Sequence, residues 1–150
     1  MDGSEAQAPW TPVEIQTGEW AGWRLFSSDP FEFLAGPFYA RERADGTRVC
    51  AFRAEAKHMN GGGAMHGGAL LTFADYALFV IAAPELEGSG SVTAQVDGQF
   101  IDAAREGELI EASGEVVRAA ASLVFIRGLV TASGRPVLAF SAIVKKTRRG

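Results

Sequence analysis

The run "NGGGAMHGGALLTFADYALFVIAAP", residues 60–84, constrains the fold more than any other part of this chain. A glycine-rich loop opens a segment whose spacing predicts a helix from residue 68 to about 82, with Leu71, Asp75, Leu78 and Phe79 on one face and Pro84 marking its stop. A helix this apolar belongs inside a core. Asp75 then needs a reason, because an unpaired buried carboxylate costs several kcal/mol or takes up a proton. Polar partners or an aqueous pocket must meet it.

The remaining sequence bounds what the helix packs against. With 150 residues, 47% of them hydrophobic, the chain has material for one compact domain, placed at residues 13–150 behind a disordered start at residues 1–12. A net charge of -4 argues against a surface that binds nucleic acid, and the closing run "KKTRRG" reads as a solvated tail. Cys50 is the only cysteine, so no disulfide framework or thiolate metal site can form within one chain. The start has no basic segment followed by an apolar run, which points to the cytoplasm. The most apolar stretch, "ALLTFADYALFVIAAP", is short for a membrane span and carries Asp75, so no membrane partner is expected.

Around the helix the pattern is mostly extended. "VEIQTGEWAGWRLF" is expected to form a short helix with Trp20, Trp23 and Phe26 packed on the body. "GPFYARERADGTRVCAFRAEA" holds two extended runs about Asp45-Gly46, the signature of a hairpin turn. Four further strands follow the helix. In the first, Val92, Ala94, Val96 and Phe100 alternate with Thr93, Gln95, Asp97 and Gln99. "ELIEASGEVVRA" alternates likewise, while "SLVFIRGLVTA" and "PVLAFSAIVKKT" are apolar on both faces and belong at the centre, joined by the turn "ASGRP". Short links favour antiparallel neighbours, so the class is α+β, with a helix on one face of the sheet and a second subunit expected on the other.

"NGGGAMHGG" followed by "ALLTFAD" resembles the hotdog-fold thioesterases of the phenylacetic-acid-degradation (PaaI-like) group, over residues 36–147. In that family an Asn stands six residues before the His of an HGG motif and an acid nine after it, here Asn60, His66 and Asp75. A Ser or Thr early in the next strand matches Thr93. The resemblance implies a single hotdog domain, a long central helix wrapped by an antiparallel sheet, that hydrolyses acyl-CoA without cofactor or metal. It also implies homodimers with sites at the interface, commonly stacked into tetramers.

The chemistry agrees with the residue types. Thioester hydrolysis needs fixed donors on the carbonyl and a carboxylate that attacks or activates water. Gly67 and Gly68 at the helix start offer backbone N–H groups at its positive end, and Asp75 is the carboxylate, as nucleophile or base. Asn60 would hold water or the thioester, His66 shapes the loop, and Thr93 assists; Phe79 is expected at the acyl pocket. His58, His66 and Asp75 lack any metal-ligand spacing. The alternatives are a non-catalytic acyl-CoA or ligand-binding hotdog protein, or a hydratase or dehydratase of acyl thioesters.

Overall fold

The computed structural model describes residues 11–148, so residues 1–10 of the segment expected to be disordered and the last two residues of the basic tail lie outside the described residues. Among the described residues, eight antiparallel strands form one sheet around a single long helix. In chain order these are β1 (Val13–Glu14), β2 (Arg24–Leu25), a short helix α1 (Pro30–Ala35), β3 (Tyr39–Glu42), β4 (Arg48–Arg53), a 3-10 turn (Ala56–His58), the long helix α2 (Gly67–Leu86), β5 (Gly90–Phe100), β6 (Leu109–Ala119), β7 (Leu123–Ala132) and β8 (Arg135–Thr147). The strands lie in the order β1-β2-β3-β4-β6-β7-β8-β5.

α2 carries the core. Leu70, Phe73, Ala74, Ala77 and Leu78 are buried against the sheet, and Phe38, Phe52 and Tyr76 ring Phe73. The helix runs two residues past Pro84, so proline does not mark its stop as expected. Only Glu85 and Leu86 follow the proline, whose missing N–H forfeits the single helical bond to the Val80 carbonyl. At 20 residues α2 is long and apolar enough to span a bilayer, contrary to the shorter estimate above; here its apolar side chains fill the domain's core.

The expected β3–β4 hairpin forms, with Gly46 at φ 84° and Asp45 accepting hydrogen bonds from the Thr47 amide and hydroxyl. β7 and β8 lie inside the sheet, joined by Ser133 and Gly134 at positive φ. Lys145 and Lys146 belong to β8, so only the end of the basic run can be a tail. β5 departs from the neighbour rule: it pairs with β8, and β4 takes the place beside β6. The link after β5 is no hairpin turn, since it crosses the start of α2, where Ala104 is buried and its carbonyl accepts the Met65 N–H.

The helix expected over residues 13–26 is absent. The segment instead forms the ribbon β1–β2, turned by Gly18 and Gly22 at φ 81° and 84°, a conformation that breaks helices. Trp20 and Trp23 do pack on the body, with Val49, Ala51 and Tyr39. They cover the β3–β4 end of the sheet's outer face, a surface the sequence assigned wholly to a second subunit.

Candidate active site

The loop before α2 is closed by its own polar atoms. The Asn60 carboxamide oxygen accepts from the amides of Gly62 and Ala64 at 2.9 and 3.2 Å, and Gly63 takes φ 80° to complete the turn. Asn60 is thus an exposed turn-former in this chain. His66 caps α2: its Nδ1 accepts the Gly68 N–H at 2.8 Å, which makes Nε2 the protonated nitrogen of the neutral ring. That bond uses the Gly68 donor, so of the two glycine N–H groups expected to be free only that of Gly67 has no partner among the described residues. It points out of the positive end of a 20-residue helix. His58 is not a neighbouring ligand but a buried strut, bonded to the Glu55 amide and the Ala35 carbonyl.

Asp75 lies two turns further on, half-buried. Its Oδ1 accepts a 2.7 Å hydrogen bond from Thr93 Oγ1. Strict alternation had put Thr93 on the face opposite Val96; a bulge between Thr93 and Gln95 changes the phase of β5 and turns both toward α2. Gly98 permits the close approach of β5, since a Cβ there would meet Leu138 Cδ1 at 2.9 Å and Leu71 Cδ2 at 3.3 Å. Asp75 borders a cavity of about 400 Å³ floored by Leu71 and Val96 and roofed by Asp29, Phe31 and Glu32 of the α1 region. Partner hydroxyl and open cavity together are what allow a carboxylate in this helix.

Two groups of the expected residues therefore exist. Asn60, His66, Gly67 and Gly68 gather in the loop; Asp75 lines the cavity with Thr93 bonded to it from β5, and none of the loop residues lines that cavity. Phe79 packs against the core outside the cavity. Sequence reasoning missed α1 and with it Glu32. The signal was present in "SDPFEF": Asp29 is an N-cap accepting the Glu32 N–H at 3.0 Å, with Pro30 in the first helical position. Burial, then the charge of Asp29 and then that of Asp75, pushes the Glu32 carboxyl up to about 7. Burial likewise raises the Cys50 thiol and the Tyr76 phenol, which keeps both neutral.

A long helix wrapped by one antiparallel sheet, opened by a glycine loop and carrying a single hydroxyl-bound carboxylate, defines a hotdog domain. The profile of the thioesterase superfamily matches residues 62–139, and the chain belongs to that superfamily. It is similar to a Pseudomonas aeruginosa protein described as a candidate esterase, 32% identical over 120 residues that cover 79% of this chain and 90% of that protein. In fold it resembles the PaaI protein of the Escherichia coli phenylacetic acid degradation operon, with TM-score 0.68 and 20% identity over 81% of this chain and 86% of that one. A hypothetical thioesterase of Streptococcus pneumoniae, solved with coenzyme A, gives TM-score 0.65 and 22% identity over 75% and 87%.

Proposed function

We propose that this chain hydrolyses acyl-CoA thioesters to the free acid and coenzyme A, with Asp75 as the reacting carboxylate and the Gly67 N–H as the donor to the carbonyl oxygen. The Thr93–Asp75 hydrogen bond at the edge of an open cavity carries the reading, since it holds one carboxylate oxygen and leaves the other for chemistry. Membership of the thioesterase superfamily supports the reaction class, and the coenzyme A in the pneumococcal relative's structure supports the thiol. As base, Asp75 takes a proton from water while the water oxygen bonds to the carbonyl carbon; the carbonyl pair moves to oxygen, facing the Gly67 N–H. Collapse then breaks the C–S bond, and the sulfur takes the proton back from Asp75. As nucleophile, Asp75 would bond to the carbonyl carbon and expel the coenzyme A thiolate, leaving a mixed anhydride; water then opens it to the free acid and the Asp75 carboxylate, and the thiolate takes the released proton.

Gly67 and Asp75 stand about 12 Å apart along the helix axis, more than one thioester group reaches within a single chain. A two-fold dimer closes that gap when each site takes Asn60 and Gly67 from one subunit and Asp75 and Thr93 from the other. Asp75→Asn should keep the fold and lose most release of coenzyme A across an acyl-CoA panel; near-normal turnover would remove Asp75 from the mechanism. Gly67→Ala and Asp75→Asn subunits, each nearly inactive alone, unfolded together and reassembled, should recover about a quarter of wild-type activity, because half the dimers are mixed and each has one intact site. No recovery in mixed dimers confirmed by mass would refute the shared site. Tight acyl-CoA binding without turnover by the wild type would make the chain a binding protein instead.

A further inference from the structure

The roof of the Asp75 cavity is held in place more firmly than a short surface helix needs. At its N-terminus α1 is capped by Asp29. At its C-terminus Lys57 Nζ donates to the carbonyls of Leu34 and Gly36 at 3.1 and 2.5 Å, and His58 Nε2 donates to that of Ala35 at 2.6 Å. His58 Nδ1 accepts from the Glu55 amide, which sets this tautomer. Six residues cannot sustain a helix alone, so these struts from the 3-10 turn fix where its side chains stand. They bring Glu32 to the cavity that Asp75 borders.

The charges around Glu32 have one sign. Asp29 faces it from its own helix and Asp75 from α2; the Tyr76 hydroxyl on α2 and the Cys50 thiol on β4 lie behind it and stay neutral. Lys57 and His58 are engaged with the carbonyls at the far end of α1. Among the described residues no lysine or arginine forms an ion pair with Asp29, Glu32 or Asp75. A third carboxylate charge in this cavity would thus meet two others without compensation.

Resting on the thioesterase reading above, we propose that Glu32 is a positioning residue of the active site: its uncharged carboxyl leaves Asp75 as the working charge of the cavity, and its ionisation switches the site off. The attack on the thioester builds negative charge on the carbonyl oxygen. A neutral Glu32 tolerates that charge and can donate a hydrogen bond into the cavity; an ionised Glu32 repels it. Glu32 forms no bond to substrate, and the proton bookkeeping of hydrolysis runs through Asp75 alone. Since its carboxyl is pushed up to about 7, the switch falls in the neutral range.

The test is the pH profile of kcat/KM from pH 5.5 to 9, on the acyl-CoA turned over best, for wild type and Glu32→Gln. Wild type should fall about tenfold per pH unit above about 7, and the variant, permanently uncharged at that position, should lose this alkaline limb. Parallel profiles would overturn the proposal. A second measurement uses the wild type without substrate: with glutamate carboxyl groups labelled by carbon-13, one side-chain signal should titrate near 7, and the absence of any glutamate signal titrating above about 6 would overturn the proposal whatever the activity. Failure of the thioesterase reading looks different. The wild type would then release no coenzyme A at any pH, and the switch falls with it even if the Glu32 signal still titrates near 7.

Discussion

Replacing Gly67 by alanine adds one methyl at the first residue of α2, beside the donor proposed for the thioester oxygen. The new Cβ would stand 3.1 Å from Phe100 Cε1 and 3.2 Å from Cζ, so the ring must retreat by a few tenths of an ångström. Phe100 is 55% exposed and can swing outward, which keeps the steric cost below about 1 kcal/mol, and the better helix propensity of alanine offsets up to about as much. Stability should therefore hardly move. Activity should, because a displaced oxyanion donor costs about a hundredfold in kcat, or about 2.7 kcal/mol of barrier. The assay is coenzyme A release followed with a thiol reagent, beside thermal unfolding of the same samples; Cys50 is fully buried, so the folded enzyme contributes no thiol signal. An unchanged kcat, or a loss matched by a comparable drop in Tm, would refute a catalytic role for this N–H.

Thr93→Val keeps the shape of the side chain and removes the 2.7 Å donor to Asp75; a hydrogen bond to a charged group contributes about 1.5–3 kcal/mol, so kcat/KM should fall at least about tenfold with the fold retained, as circular dichroism would check. Tyr76→Phe deletes a buried hydroxyl with no hydrogen-bond partner among the described residues and should raise stability by about 1 kcal/mol, about 3 °C in Tm by calorimetry. Glu32 makes stability depend on pH. Its carboxyl ionises near 4.5 when unfolded and near 7 when folded, so the folded state holds the extra proton; this stabilisation is complete below 4.5 and lost as pH rises through 7. Solvent screening of a half-buried group brings it to about 1–2 kcal/mol, and the stability curve of Glu32→Gln between pH 5 and 8 should lack that slope.

The loop, the helix and the strands were legible because their signals are local. Asp45-Gly46 demands a hairpin within four residues, the apolar run from Leu70 to Ile81 demands burial, and the alternation of β6 gives its wet face over a few residues. Asp75 and the glycine-rich helix start stood out by residue type in the same way, whereas Asn60, His66 and Thr93 were marked by the resemblance to the PaaI-like thioesterases. The N-terminal aromatic spacing misled, since Gly18 and Gly22 decide the backbone there and their positive φ forbids the helix that Trp20 and Trp23 suggest.

What the sequence by itself determined is the inventory: one apolar helix with a carboxylate that must be met, a glycine-rich loop that opens it, and enough strand to wrap them. Only the tertiary structure decided which residues meet that carboxylate. The bulge in β5 is set by its register against β8, and it alone turns Thr93 to Asp75. Glu32 reaches the same cavity because Lys57 and His58 anchor the far end of α1. These contacts join segments far apart in the chain, and no periodicity or turn preference records them: local propensity specifies a segment's shape, whereas its partners follow from the packing that covers one helix on every side the sheet can reach.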